Sequence, residues 1–224
     1  MVLELAGLET LRLESGGHEK RTDGVCVMEA VAWFAGEPHS DHPECASKLL
    51  TTFAMGLNDS WDADQRQKLV PFIPRLLGTR DGRDHERGLL AADWLLRTYT
   101  PAWLRLANLT DEAEALAGHA PLTDWSGLAD FMADLEAARA KAAAARTAAR
   151  DAAWDAAWTA AARAAARDAA WDAARDAAWA AAWTAAWAAA GAAARDAAGA
   201  ALKPTVTDLQ ASALELLDRM ILDD

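Results

Sequence analysis

The sequence is short of the residues that several classes of protein require. It has only two cysteines, Cys26 and Cys45, too few for a secreted scaffold built on disulfides. It has 22 basic against 34 acidic residues and a net charge of -12, so it lacks the excess of lysine and arginine with which proteins bind nucleic acid. The first fifteen residues contain Glu4 and Glu9 and no long apolar run, so we expect no signal peptide there.

The sequence also lacks long apolar segments, and one uncharged stretch has to be compared with a membrane span. The residues between Asp176 and Arg195 are uncharged, but they are mostly alanine, with Thr184 and Gly191 among them. Alanine contributes little to insertion, and a membrane span usually needs about 20 strongly apolar residues. We therefore expect no membrane partner and a cytoplasmic protein.

Signals for helix ends are frequent and signals for strands are nearly absent, so the sequence predicts an all-α fold. Asp23 is expected to cap a helix that ends near Gly36. Asp41 is expected to cap the next helix, because Pro43 would lie in its first turn and Glu44 would complete a capping box.

The following segments continue the helical pattern. Asp62 is expected to cap a third helix, which Pro71 and Pro74 must bend or split. Residues 78–87 (GTRDGRDHER) have the composition of a charged surface loop. Residues 88–99 (GLLAADWLLRTY) are apolar around most of a helix circumference, which predicts the central helix of the core.

Composition divides the chain into three parts. We expect a compact helical amino-terminal domain over residues 1–122, a long alanine-rich helical arm over residues 123–203 and a short carboxyl-terminal amphipathic helix over residues 204–224. Between residues 137 and 201, 40 of 65 residues are alanine, the best helix former. Gly199 and Pro204 are expected to end the arm, and the final helix is expected to pack on the arm or on a sister chain.

A four-residue repeat runs along the arm. A tryptophan or arginine recurs at every fourth position from Arg146 to Trp158 and, after one extra residue, from Arg163 to Trp187, followed by Asp, Thr or Ala. Residues four apart are neighbours on a helix, so these side chains can stack as a Trp/Arg ladder, with cation–π gains of about 0.5–1 kcal/mol at exposed sites. A period of four drifts by about 40° per step around a helix of 3.6 residues per turn, so no straight partner could bury the whole ladder.

Two interpretations of this ladder stay open. It is either a low-complexity helical spacer or a surface for self-association or for docking a protein partner, because exposed aromatic area usually marks a contact. In the second case the contact residues are Trp154, Trp158, Trp171, Trp179, Trp183, Trp187, Arg163, Arg167 and Arg175.

The amino-terminal domain carries one cluster of metal-ligating residue types. His42 and Cys45 have a spacing that suits two ligands of one zinc ion. Together with Cys26 and either His18 or His39 they would complete a tetrahedral Cys2His2 site. Zinc is therefore the cofactor to test.

The same cluster allows two other interpretations. Both cysteines are expected in the first turns of helices, where the helix dipole favours a thiolate, so Cys26 could act as a nucleophile with His42 as base and Asp41 orienting it. Alternatively, the cysteines are small buried hydrophobes, and Asp41 and Glu44 only cap helices.

Three long strings of sequence carry a family resemblance. GVCVMEAVAW, AGEPHSDHPEC and TPAWLRLA, within residues 15–107, resemble a family of uncharacterised proteins from actinobacteria and their phages. Members of that family can also carry tails rich in Ala, Arg, Asp and Trp. The resemblance implies a source for the chain and assigns neither an activity nor functional residues.

From the sequence we expect a non-enzymatic binding or scaffolding protein. Its amino-terminal domain would recognise a ligand or partner, and its arm would bind a second copy or another protein. The alternative is a zinc- or thiol-dependent enzyme that uses Cys26, His42 and Cys45.

Overall fold

A computed structural model describes the backbone of residues 5–144 and 176–222, and the side chains of Leu5, of residues 7–144 and of residues 199–222. Every regular element in these ranges is helical, which confirms the all-α prediction. The chain groups into two compact units. Unit 1 contains Met1–Thr98, Ala120–Leu128 and Gln210–Asp224, and unit 2 contains Tyr99–His119 and Ala129–Leu209.

The α-helices are numbered here in chain order. They are α1 (Leu5–Leu8), α2 (Val27–Ala35), α3 (Lys48–Ser60), α4 (Ala63–Arg66), α5 (Asp84–Trp94), α6 (Thr100–Leu106), α7 (Thr110–Gly118), α8 (128–144, up to the last described residue of that range) and α9 (Asp176–Ile221). Short 3-10 turns lie at Arg21–Asp23, Gln67–Phe72, Pro74–Leu76 and Trp125–Gly127, and a π turn lies at Leu95–Tyr99.

Helix α2 forms the centre of unit 1. Its residues 27–32 read VMEAVA and are at most 2% exposed, and Glu29 is the one polar residue among them. The prediction that residues 88–99 form the central helix is wrong. That stretch is divided between α5 and the π turn, it is half-buried over most of α5, and Leu95 is 47% exposed.

The two prolines after α4 split the chain as the sequence predicts. Asp62 caps α4, because its Oδ1 accepts a hydrogen bond of 2.9 Å from the backbone N–H of Gln65. Pro71 lies inside one 3-10 turn and Pro74 begins the next. These tight turns bury Leu69, Ile73 and Leu76 completely against the core of unit 1.

Helix α3 begins later than predicted. Its cap is Ser47, whose Oγ accepts a hydrogen bond of 3.1 Å from the N–H of Leu50, so the predicted cap at Asp41 is wrong. Glu37 holds the turn before it, since its carboxylate accepts the N–H groups of Glu44 at 2.7 Å and Cys45 at 2.8 Å. The capping box predicted around Glu44 is therefore replaced by a contact from a residue upstream.

Helix α9 corrects the predicted end of the arm. It continues through Gly199 and Pro204 to Ile221, although a proline costs a helix interior about 3 kcal/mol. Alanines precede Pro204, and the residues after it have a buried face, so both flanks favour a helix.

The last turns of α9 also pack elsewhere than predicted. Leu216, Leu217 and Met220 are at most 1% exposed and belong to the core of unit 1, together with α2 and α3, rather than to the arm or a sister chain. Within the described ranges, no helix combines the length and apolar character needed to cross a membrane.

Within unit 2, side chains of α7 and α8 are buried, and the end of α7 makes contacts with α8. Ala113 and Leu116 of α7 are fully buried, and Phe131 of α8 is 2% exposed. The His119 ring lies 4.2 Å from the ring of Phe131 between centroids, and its Nε2 is 2.8 Å from Oδ2 of Asp134. Aromatic and polar contacts therefore join the end of α7 to α8.

Candidate functional site

The candidate site begins with the capping of α2. Cys26 is the residue before the helix, and its Sγ accepts a hydrogen bond of 3.4 Å from the N–H of Glu29. In return, Oε2 of Glu29 accepts the N–H of Cys26 at 2.7 Å. This is a capping box with cysteine in the place of serine or threonine, so the cap predicted at Asp23 is wrong. The spacing Cys26-x-x-Glu29 was the sequence signal for it.

Two histidines surround the carboxylate of Glu29. Its Oε1 accepts the backbone N–H of His18 at 2.6 Å, and its Oε2 lies 2.9 Å from Nδ1 of the same residue. Nε2 of His39 lies 3.7 Å from Oε1 and bonds to the carbonyl of His18 at 2.9 Å. The His18, Glu29 and His39 side chains are 11%, 3% and 19% exposed, so the cluster is largely shielded from water.

The charge state of Glu29 follows from these contacts. Burial acts to raise its pKa, but the N–H groups of His18 and Cys26 and the ring of His18 all favour the carboxylate, and the net result is a pKa below the ordinary value. A carboxylate stabilised by three donors is a weak general base. The contacts of Glu29 therefore hold His18 and His39 against the amino end of α2.

Neither cysteine is prepared for nucleophilic chemistry. Burial, supported by the neighbouring charge of Glu29, raises the pKa of the Cys26 thiol to about 12. Burial and a hydrogen bond with Glu37 raise the pKa of the Cys45 thiol to about 11. The prediction that both cysteines lie in the first turns of helices is wrong, because Cys26 is the cap residue before α2 and Cys45 lies before Ser47, the cap of α3. At both positions burial and a nearby carboxylate oppose the thiolate.

The predicted zinc ligands lie in different surroundings. Cys26 is buried at the α2 cap, His18 bonds to Glu29, and the His42 side chain is 69% exposed beside Asp41. Among the residues that the structure describes, no group of three or more His, Cys, Asp and Glu is arranged to hold a metal ion. No three of Cys26, His42, Cys45 and His18 are therefore brought together in this arrangement.

A second polar centre was not anticipated from the sequence. Arg87, in the stretch predicted to be a charged surface loop, is 0% exposed. Its guanidinium bonds to both carboxylate oxygens of Asp81 at 2.6 and 2.7 Å and to the carbonyl of Thr79 at 2.9 Å. Its Nε donates to the carbonyl of Met220 at 2.9 Å. Nothing in the local pattern distinguishes Arg87 from the exposed Arg80 nearby.

Most of the predicted contact residues of the arm lie outside the described residues, namely Trp154, Trp158, Arg163, Arg167, Trp171 and Arg175. Trp179, Trp183 and Trp187 lie on α9, whose backbone is described there. The role of the Trp/Arg ladder stays a prediction.

No protein-family model, curated protein or solved structure matches this chain. The resemblance of residues 15–107 to actinobacterial and phage proteins therefore stays an expectation from the sequence.

Proposed function

We propose that this chain is a non-enzymatic binding or scaffolding protein of the cytoplasm, as the sequence predicts. Its amino-terminal residues recognise a ligand or partner, and its tryptophan-rich arm mediates self-association, with docking to another protein as the alternative use of the arm. The net charge of -12 argues against nucleic acid as the partner.

One structural observation carries this proposal. Trp179, Trp183 and Trp187 lie on helix α9. The core residues Leu216 and Met220 lie nearer the carboxyl end of the same helix. Residues four apart are neighbours on a helix, so these three tryptophans occupy neighbouring positions along α9. A partner that binds one of them would therefore reach the next.

The size of the tryptophans supports a contact role. Burying a tryptophan removes roughly 150–250 Å² from water, and at about 25 cal/mol per Å² this amounts to about 5 kcal/mol for each residue before the cost of association. That cost is on the order of 4–15 kcal/mol, with further costs for ordering side chains, so a contact through the repeat needs several tryptophans buried together.

The alternative, a zinc- or thiol-dependent enzyme, has no supporting observation among the described residues. Both thiols have raised pKa values, and the carboxylate of Glu29 is occupied by backbone donors. Both cysteines are unpaired, which is compatible with a reducing compartment.

The test replaces the six tryptophans of the four-residue repeat with alanine in the full chain, namely Trp154, Trp158, Trp171, Trp179, Trp183 and Trp187. Alanine preserves helix propensity, so the variant should keep its helical circular dichroism. The molar mass is measured by light scattering at several concentrations. The matched control replaces three threonines of the same arm, Thr147, Thr159 and Thr184, with alanine.

We expect the wild-type chain and the threonine control to form dimers or larger species and the tryptophan variant to be monomeric. Equal mass for the wild type and the tryptophan variant would contradict self-association through the ladder.

A further inference from the structure

A pocket lies at the amino end of α3, and neither Cys26 nor Glu29 of the α2 capping box lines it. It has a volume of about 450 Å³, within the usual range for small-molecule sites. Its polar lining consists of His42, Glu44, Lys48, Thr51, Thr52 and Arg80. We call it the α3 pocket.

The lining of the α3 pocket has two cations and one carboxylate, although the chain as a whole is strongly acidic. Lys48 and Arg80 contribute two positive charges, and the ring of His42 contributes one N–H donor. The Arg80 side chain is 51% exposed, and its Nη1 also donates to the carbonyl of Glu44 at 3.2 Å. The ammonium of Lys48 has no ion pair or hydrogen bond within the part of the chain that the structure describes. Glu44 is the single carboxylate of the lining; it is 90% exposed, and its Oε2 lies 3.8 Å from the Arg80 guanidinium.

A hydroxyl lines the pocket. Thr51 is 3% exposed as a residue, and among the described residues its Oγ1 has no hydrogen-bond partner and is open to solvent, whereas the hydroxyl of its neighbour Thr52 donates to the carbonyl of Lys48 at 3.0 Å. The Thr51 hydroxyl can therefore donate to a molecule in the pocket in place of water.

The backbone adds donors of the same kind. The cap at Ser47 takes the N–H of Leu50, and the N–H of Lys48 has no intrahelical acceptor because it is the first residue of α3. The amino end of this 13-residue helix also carries a partial positive charge.

We propose that the α3 pocket binds a small molecule that carries a phosphate group. Lys48 and Arg80 would pair with the phosphate oxygens, and the Thr51 hydroxyl and the first N–H of α3 would donate hydrogen bonds to them. This proposal deepens the ligand-recognition part of the proposed function and rests on it. It is independent of the arm, so the phosphate and light-scattering experiments can fail separately.

The experiment titrates the full chain with inorganic phosphate at constant ionic strength and follows binding by calorimetry. The test variants are Lys48→Gln and Thr51→Val, the second of which removes the hydroxyl with little change in shape. The matched controls are Lys68→Gln, which removes one exposed lysine outside the pocket lining, and Thr51→Ser, which restores the hydroxyl. Circular dichroism checks that each variant is folded.

We expect saturable binding of one phosphate per chain, weakened about tenfold or more by Lys48→Gln and by Thr51→Val, since each loses a bond to a charged group. Lys68→Gln and Thr51→Ser should bind nearly as the wild type does. Absence of saturable binding, or equal weakening by Lys48→Gln and Lys68→Gln, would overturn the proposal.

Discussion

Arg87 donates a hydrogen bond of 2.9 Å from its Nε to the backbone carbonyl of Met220, a residue 133 positions further along the chain. The rest of its guanidinium is held by Asp81, Asp84 and the carbonyl of Thr79. A fully buried cation thus joins the start of α5 to the last turn of α9. Cations are favoured at this end of a helix, where carbonyl groups lack intrahelical partners.

Replacing Arg87 with methionine should lower the free energy of unfolding by about 2–3 kcal/mol, because the buried carbonyls of Thr79 and Met220 lose their charged donor. The side chain of Asp81, in contrast, is 32% exposed and can be hydrated. Urea unfolding followed by circular dichroism measures the change. The control is Arg83→Met, because Arg83 bonds to the carbonyl of Leu222 but its side chain is 35% exposed, and less than about 1 kcal/mol should be lost there. Equal losses for the two variants would show that the buried contacts of Arg87 stabilise the fold no more than the exposed contacts of Arg83 do.

Glu29→Gln should lower the free energy of unfolding by about 2 kcal/mol at pH 7, because the charge that accepts the N–H groups of His18 and Cys26 is lost. Equilibrium urea unfolding measures it. Glu19→Gln removes an equal charge from an exposed position without a capping role and should change stability little.

The pH dependence of stability should follow from the same carboxylate. The folded pKa of Glu29 lies below its unfolded value of about 4.3, so its contribution is complete above about pH 5 and is lost as the pH falls through 4 and below. The pairing with Arg87 also holds the pKa of Asp81 well below its ordinary value, which acts in the same direction. The loss of stability between pH 7 and pH 3 should be smaller in Glu29→Gln than in the wild type; an equal loss would contradict the assignment.

Both thiols should react slowly in the folded protein. With pKa values of about 12 and 11, Cys26 and Cys45 have little thiolate at pH 8, so alkylation by iodoacetamide should be at least about a hundredfold slower than in urea. Mass spectrometry of timed samples measures the two rates separately. A thiol that is alkylated faster in the folded protein than in urea would restore the thiol-enzyme alternative.

Removal of metal should leave the fold intact. The core of unit 1 is apolar, and no three predicted ligands are gathered in the described residues, so a chelator should change neither the melting temperature nor the helical signal. Native mass spectrometry of protein purified without chelator should show the mass of the chain alone. One zinc per chain, with unfolding on chelation, would instead establish the site at Cys26, His42, Cys45 and His18.

The helical class and several helix ends could be predicted from the sequence because they depend on local chemistry. Asp62 caps α4 through a residue three positions away, and Pro71 and Pro74 split the chain through their own rings. Gly36 ends α2 with a φ of 76°, in the left-handed region that glycine adopts without strain.

The tertiary structure decided whatever depends on residues far apart in the chain. Arg87 is buried because Asp81 and the end of α9 meet it, whereas its sequence neighbours resemble those of an exposed arginine. Likewise, α9 continues past Pro204 into the core of unit 1, and Arg80 lines the α3 pocket beside Lys48. Pairing and burial over long separations set these features, and local propensity carries no information about them.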